Sequence, residues 1–309
     1  MNRWAYIIRR VLFLFPTLLV IYTLTFFLIH ATPGGPWSQG DKPVPPVVLK
    51  RLNAAYGLDD PLWKQYVNYL WNILHGDFGP SFASRSRTVT DIISETFPVS
   101  LKLGLLAMAV ALLIGIPLGI IGALKHNTLL DYISGFVAIV GVSTPSYVTV
   151  SLFVLLFANT LHLVPTGGWG GILSTKALIP AFALALYPSA VLARYTRASM
   201  LEVLSADYVR TARAKGLAET AVIVRHAVRN AMLPVLTVSG IILADVITGS
   251  FFVETVYQVP GIGRYFVDSI TSRDYPVILG TVLLLGAVVS VMNLVVDLMY
   301  PLLDPRMSH

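Results

Sequence analysis

The run PVSLKLGLLAMAVALLIGIPLGIIGAL, Pro98 to Leu124, holds one charged residue, Lys102, in 27. An α-helix of about 20 apolar residues crosses the hydrocarbon core of a bilayer, because a helix satisfies its own backbone polar groups where no water can. This stretch is therefore a membrane span. Five more runs follow the same rule: Val11 to His30, Ile133 to Leu161, Ala177 to Tyr195, Val235 to Phe252 and Pro276 to Met299. Composition agrees, since 55% of the 309 residues are hydrophobic and 12% are charged. Soluble domains carry about 25% charged residues, so there is too little polar surface here to clothe a water-exposed body. The expected fold class is all-α and polytopic, with six transmembrane helices.

Arg9 and Arg10 precede the first run as they would a secretory signal. The run is longer than the roughly 7 to 15 residues of a signal core, and no A-x-A site follows, so it reads as a retained span. Lys and Arg near span ends set orientation. With the N-terminus inside, the cytoplasmic side receives Arg3, Arg9, Arg10, Lys125, seven basic residues from Arg194 to Arg229, and Arg306. The short outer loops receive Lys176, Arg264 and Arg273. The segment Ala31 to Phe97 also carries basic residues, but loops of that length are largely exempt from the rule. A multi-pass protein of a cell membrane with both termini cytoplasmic is the consistent solution. The net charge of +6 is thereby spent on topology, and with no basic groove interleaved with aromatics a nucleic-acid partner is not expected.

Several spans are interrupted. Pro117, Pro180 and Pro188 fall inside predicted helices, and Pro145 sits in GVSTPS, Gly141 to Ser146. Proline frees a backbone carbonyl, which membrane helices tolerate when protein or a water-filled cavity satisfies it. Ser143, Thr144 and Pro145 are candidates to line a pathway, with packing as the alternative. Asp245 lies inside the fifth run, where a carboxylate costs about 2.5 to 3.5 kcal/mol on insertion scales. It is expected to face the bundle interior or a polar cavity, either as a pathway group or as a hydrogen-bonded structural one. Asp297 and Asp304, near the end of the last span, read as structural.

Between the first two spans, PLWKQYVNYLWNIL, Pro61 to Leu74, has helical periodicity. Asp60 is expected to cap it and Gly76 to end it. Leu62, Tyr66, Leu70 and Ile73 form one stripe, with Trp63, Val67, Trp71 and Leu74 beside it. Such a helix fits either a membrane interface or the outer ends of the spans.

The stretch SADYVRTARAKGLAETAVIVRHAVRNAMLP, Ser205 to Pro234, is the most informative cytoplasmic one. Ser205 is the expected N-cap, Asp207 suits the first turn, and Lys215 precedes Gly216, a natural stop. Tyr208, Val209 and Ala212 share one side, with Arg210, Arg213 and Lys215 around the rest. An isolated helix of this length is marginal, because independent stability takes about 12 to 15 residues. It is therefore expected to dock onto something, and Glu219 to Met232 then leads through Pro234 into the fifth span. The alternative is a solvated basic loop that only enforces topology.

This stretch, with DYVRTARAKGL (Asp207 to Leu217) and RHAVRNAMLP (Arg225 to Pro234), resembles the cytoplasmic loop of ABC importer permeases of the dipeptide, oligopeptide and nickel class. RRVLFLFPTLLV, YGLDDPLWKQY, HGDFGPSF, ETVYQVPGIGRYFVDSITSRDYPV and NLVVDLMYPLLDPR occur in that family's order, so the resemblance covers nearly the whole chain. It implies a type I ABC importer permease fold, with residues 1–97 holding the first helix and an extracytoplasmic segment, residues 98–303 the permease core, and 199–234 the coupling loop. It implies a heterodimer with a second homologous permease, two ABC ATPase subunits and an extracytoplasmic solute-binding protein. Ser205, Asp207, Tyr208, Arg210, Ala212, Arg213, Lys215 and Gly216 become ATPase-coupling residues. Ala212 and Gly216 match the broader importer loop motif, while Arg210 and Thr211 stand where that motif has Glu and Ala. Asp245 could then meet a peptide amino terminus or cationic side chain.

No cofactor is expected in this chain, ATP and magnesium being bound by the partner ATPases. There is no G-x-x-x-x-G-K-[ST], G-x-S-x-G or H-E-x-x-H, so the chemistry of a nucleotide-binding or hydrolytic enzyme is missing. His30, His75, His126, His162 and His226 are not at metal-ligand spacing, and no cysteine is present. The remaining alternatives are an ion-gradient-driven secondary transporter, for which several intramembrane ionisable groups or inverted repeats would be expected, and an importer of nickel chelates, glutathione or oligosaccharides.

Overall fold

The computed structural model describes residues 3–37, 45–84, 86–248 and 250–303, without the side chains of residues 3–7, 297 and 299–303. Asp304 and Arg306, and the side chains of Arg3 and Asp297, lie outside that description. In chain order the helices are α1 (Arg3–Ala31), α2 (Pro46–Ala55), α3 (Leu62–Leu74), α4 (Val89–Leu124), α5 (Leu129–Ser143) and α6 (Ser146–Phe153). There follow α7 (Leu178–Ser205), α8 (Asp207–Ala214), α9 (Glu219–Ala221), α10 (Arg229–Thr248), α11 (Phe251–Tyr257), α12 (Ile262–Ser272) and α13 (Tyr275–Leu303). Among the described residues there is no sheet, only an isolated bridge between Pro80 and Thr88.

Among the described residues five helical stretches are long and apolar enough to cross a membrane, or six when the bent pair Leu129–Ser143 and Ser146–Thr160 counts as one. The expected third span is thus not continuous: its halves meet at 106°. Pro145 is the cause, because its ring pushes the preceding residue out of the helical region and it has no N–H to donate. Thr144 is accordingly extended, at φ −96° and ψ 118°. The expected fifth span ends before Phe252, which belongs to α11. It also begins earlier, since α9, a π-helical stretch Val222–Val228 and α10 run on as one apolar helix, Glu219–Thr248.

By contacts the chain forms two compact units. The first comprises Ser100–Val259 and the chain from Val289. Its central element is α7, whose apolar window is 72% buried, against 33% for that of α4. Small residues let backbones approach there. A Cβ on Gly115 would lie 2.5 Å from the Ser189 carbonyl, and one on Gly119 2.5 Å from that of Ala193. This Gly-x-x-x-Gly pair seats α4 on α7. The start of α5 is tied to α7 by Asp131, which accepts from Arg197 Nε at 2.5 Å and Nη2 at 2.8 Å and from the Asn127 amide at 3.0 Å.

The second unit comprises residues 2–99 and Pro260–Val288. Tyr22, Phe26 and Ile29 of α1 pack with Tyr275, Ile278, Leu279 and Leu283 of α13. Buried Asp274 accepts from Ser81 Oγ at 2.5 Å and from the Phe82 and Ala83 amides at 3.0 Å, which fixes the loop before α4. Asp60 does not cap α3. Pro61 occupies that position without a side-chain bond, and the Asp60 carboxylate pairs with Lys64 at 2.9 Å. Gly76, at φ +80°, does follow the helix end.

Candidate coupling site

Helix α8 is eight residues long, and its entry differs from the sequence expectation. Ser205 is the last residue of α7 and its hydroxyl turns back to the Glu202 carbonyl at 2.7 Å. The N-cap is Ala206, extended and without a side-chain bond. The serine fails to cap because a short hydroxyl side chain competes for carbonyls within its own turn. Asp207 supplies the anion in the first turn instead. The exit does follow the expectation: Lys215 is the C-cap and Gly216 takes φ +76°. The Gly216 amide reaches the Arg213 carbonyl at 2.9 Å, and that of Leu217 the Ala212 carbonyl at a long 3.4 Å. Those two bonds make a Schellman stop, which glycine permits at no steric cost.

The apolar face of α8 is smaller than expected and already covered. Val209 and Ala212 are buried against Val222, with Val203 packed beside them. Tyr208 is 44% exposed, its hydroxyl accepting from Asn230 Nδ2 at 3.0 Å. The packing partner that a short helix requires is thus supplied by this chain, from the end of α7 and the approach to α10. What faces outward is a polar and basic surface of Asp207, Arg210, Thr211, Arg213, Lys215 and Gly216. Arg213 is held by Glu219, Nη2 to Oε1 at 2.7 Å and Nε to Oε2 at 3.1 Å. That hydrogen bonding raises the already high pKa of the guanidinium. Arg210 lies 3.8 Å from Asp207, with both side chains largely in solvent.

The eight candidate coupling residues therefore share one short element and its two boundaries, although Ala212 serves its packing more than its surface and Ser205 ends the preceding helix. The pathway candidates are dispersed. Ser143, Thr144 and Pro145 form the break between α5 and α6, where Thr144 Oγ1 donates to the Val140 carbonyl at 2.8 Å. Asp245 is on α10 and exposed, with no hydrogen bond or ion pair among the described residues. Its expected setting is the bundle interior or a polar cavity, and within this chain alone its face of α10 is open. An intramembrane carboxylate on an open face calls for water or another protein surface there, because lipid would leave it unsolvated. Sequence reasoning missed Asp131 with Arg197, and Asp274, whose pairings join residues far apart in the chain. It also passed over Gly115 and Gly119, although their Gly-x-x-x-Gly spacing is a local signal of close helix packing.

These features define a multi-pass membrane permease with the type I ABC importer fold. Solved structures share that fold: an inward-facing conformation of the MetNI methionine ABC transporter has a TM-score of 0.59 at 14% identity, covering 69% of this chain and 96% of that one. A crystal structure of an amino acid ABC transporter with histidines has a TM-score of 0.54 at 18% identity, over 71% and 95%. The chain belongs to the family of binding-protein-dependent transport system inner membrane components, matched over residues 115–309, with the family's N-terminal component matched over residues 3–104. It is 45% identical over 303 residues to the dipeptide transport system permease protein DppB of Bacillus subtilis, covering 98% of this chain and 97% of that one. It is 44% identical over 305 residues to the oligopeptide transport system permease protein OppB of Salmonella typhimurium, over 98% and 99%.

Proposed function

We propose that the chain forms half of the translocation pathway of an ATP-driven importer for dipeptides or oligopeptides in a prokaryotic cell membrane. Near-full-length similarity to the dipeptide and oligopeptide permeases carries the substrate class. A second homologous permease completes the pathway, two ABC ATPase subunits bind ATP and magnesium and hydrolyse the nucleotide, and an extracytoplasmic binding protein delivers the solute. This chain does no chemistry of its own. Residues 98–303 are the permease core and residues 1–97 an added first helix with an outer segment, both termini being cytoplasmic.

The single observation behind the coupling role is the fixation of α8 to two spans at once, through Val203 on one side and Val222 on the other. A displacement of α8 by a moving ATPase passes into α7 and the α9 to α10 helix without slack. Tyr208, Arg210, Arg213, Lys215 and Gly216 present the contact surface. Ser143, Thr144, Pro145 and Asp245 line the pathway, Asp245 offering its charge to a peptide amino terminus or cationic side chain. An Asp245→Asn variant that still moved peptides of every charge class at the parental rate would remove that role.

The decisive experiment is uptake of labelled di- and oligopeptides into vesicles holding the whole complex, with ion gradients clamped. Uptake is expected to require ATP. Uptake that persists without ATP and collapses with the proton or sodium gradient would overturn the reading in favour of a secondary transporter.

A further inference from the structure

Helix α3 has three faces, and protein accounts for two. Tyr66, Tyr69, Leu70 and Ile73 pack against the cluster that α1 and α13 share. Gln65, Asn68 and Asn72 line a cavity of about 150 Å³ together with Tyr56 and Phe82. The third face carries Trp63, Val67, Trp71 and Leu74, which are 69, 53, 63 and 67% exposed. A contiguous stripe of large apolar side chains left open marks a contact with something apolar.

The height of α3 on α1 identifies that contact. Tyr22 donates to the Tyr66 carbonyl at 2.8 Å, the Thr23 and Tyr66 hydroxyls are 2.9 Å apart, and the Tyr22 and Tyr69 rings stack at 6.2 Å. Tyr22 lies nine residues before the end of α1 at Ala31, about 13 Å along a helix that rises 1.5 Å per residue. Helix α1 is 29 residues long, about 43 Å against a hydrocarbon core of about 30 Å, so with α1 centred it projects about 6 Å at each end. Tyr22 then sits about 7 Å below the edge of the core, the depth at which an interfacial helix buries its apolar face. The open stripe also continues the bare flank of α1: Tyr66 stacks on Phe27 at 5.9 Å, and Phe27, Leu24 and Leu28 are all exposed. Between the helices runs a cleft of about 680 Å³, lined in part by Leu19, Tyr22, Leu70, Leu74, Leu283 and Ala287.

We propose that α3 lies in the membrane interface of the leaflet at the Ala31 end of α1, with Trp63, Val67, Trp71 and Leu74 against phospholipid and an acyl chain in the cleft. The indoles suit that depth, presenting an apolar ring to the chains and an N–H to the headgroups. Lys64 and Asp60, at the entry of α3, pair at 2.9 Å and stay partly exposed on the water side. With the N-terminus cytoplasmic the leaflet is the outer one, but the lipid contact does not depend on the orientation or on the substrate.

The chain has no cysteine, so single nitroxide labels can be placed at Val67→Cys, Trp71→Cys and Lys64→Cys in the full chain with its partner subunits, in phosphatidylethanolamine and phosphatidylglycerol vesicles. Labels at 67 and 71 are expected to collide several-fold more with oxygen than with a water-soluble nickel chelate, with the order reversed at 64. Equal access of the chelate at all three positions would overturn the proposal, as would shielding from both reagents, which would mean protein covers the stripe. The unlabelled protein gives an independent reading. Brominated phospholipid is expected to quench its tryptophan fluorescence, and a Trp63→Phe, Trp71→Phe double variant to lose at least a third of the quenched intensity; no loss would equally overturn it.

Discussion

Arg213 has the most constrained cationic side chain of the proposed coupling surface, because Glu219 holds it in a two-pronged pair across the turn after α8. A charge reversal at Arg213 therefore changes two things, the outward surface and the internal tie. The two separate by exchange. Arg213→Glu is expected to reduce peptide uptake per ATP hydrolysed several-fold without impairing membrane insertion. If the tie is what matters, adding Glu219→Arg restores the ratio. If the outward charge is what matters, the exchanged pair stays uncoupled. Parental coupling in Arg213→Glu alone would remove Arg213 from the site. Asp131 and Arg197 pose a plainer question of stability. Removing one partner of a buried pair costs about 3 to 5 kcal/mol, and since the Arg197 side chain remains 33% exposed a discounted loss of about 2 kcal/mol is expected for Arg197→Ala. Thermal unfolding of the purified complex checks it as a lowered apparent Tm, and an unchanged Tm would show that the pair is inert.

At the scale of the element, the two ends of α8 are built differently and respond differently. Ser205→Ala removes a bond within the last turn of α7, and its effect is expected to stay within about 0.5 kcal/mol, far from the loss of about 1 kcal/mol that a true capping serine shows. Gly216→Ala forces a Cβ into φ +76° although nothing lies within 4 Å of it. The cost is therefore pure backbone strain, about 1 to 2 kcal/mol. Amide hydrogen exchange over residues 207–217 distinguishes the pair: protection is expected to fall in Gly216→Ala and to hold in Ser205→Ala. The reverse order would mean that the serine caps after all. Helix α3 shows how a sequence pattern can fit two environments: one stripe packs on protein, and the other is open and is the one proposed to meet lipid. Its Tyr66, Leu70 and Ile73 stripe was legible as one face, and only the bonds from Tyr22 and Thr23 show which stripe meets protein and at what height.

For the whole molecule, orientation is the property on which the coupling proposal depends, since α8 must face the compartment that holds ATP. Single cysteines in this cysteine-free chain report it directly. A label at Lys215→Cys is expected to react with a membrane-impermeant maleimide only in inside-out vesicles, and one at Lys176→Cys only in right-side-out ones. The opposite pattern would place α8 outside and end the coupling reading.

What the sequence by itself determined is whatever a segment must satisfy alone. A bilayer demands length and apolarity of each span separately, so the spans could be counted from the chain, as could the stop at Gly216 and the break at Pro145, which are steric consequences of single residues. The tertiary structure decided which surfaces were free. Val209 and Ala212 looked available for a partner until Val203 and Val222 were found against them, and Asp245, legible either as a pathway group or as a hydrogen-bonded structural one, stands exposed on α10 with no hydrogen bond among the described residues. Asp131 and Arg197 stand 66 residues apart, and Asp274 and Ser81 stand 193 apart. No local pattern encodes such pairings, because a charge or a small apolar side chain has the same propensity whether its partner is present or not. Packing alone assigns it one.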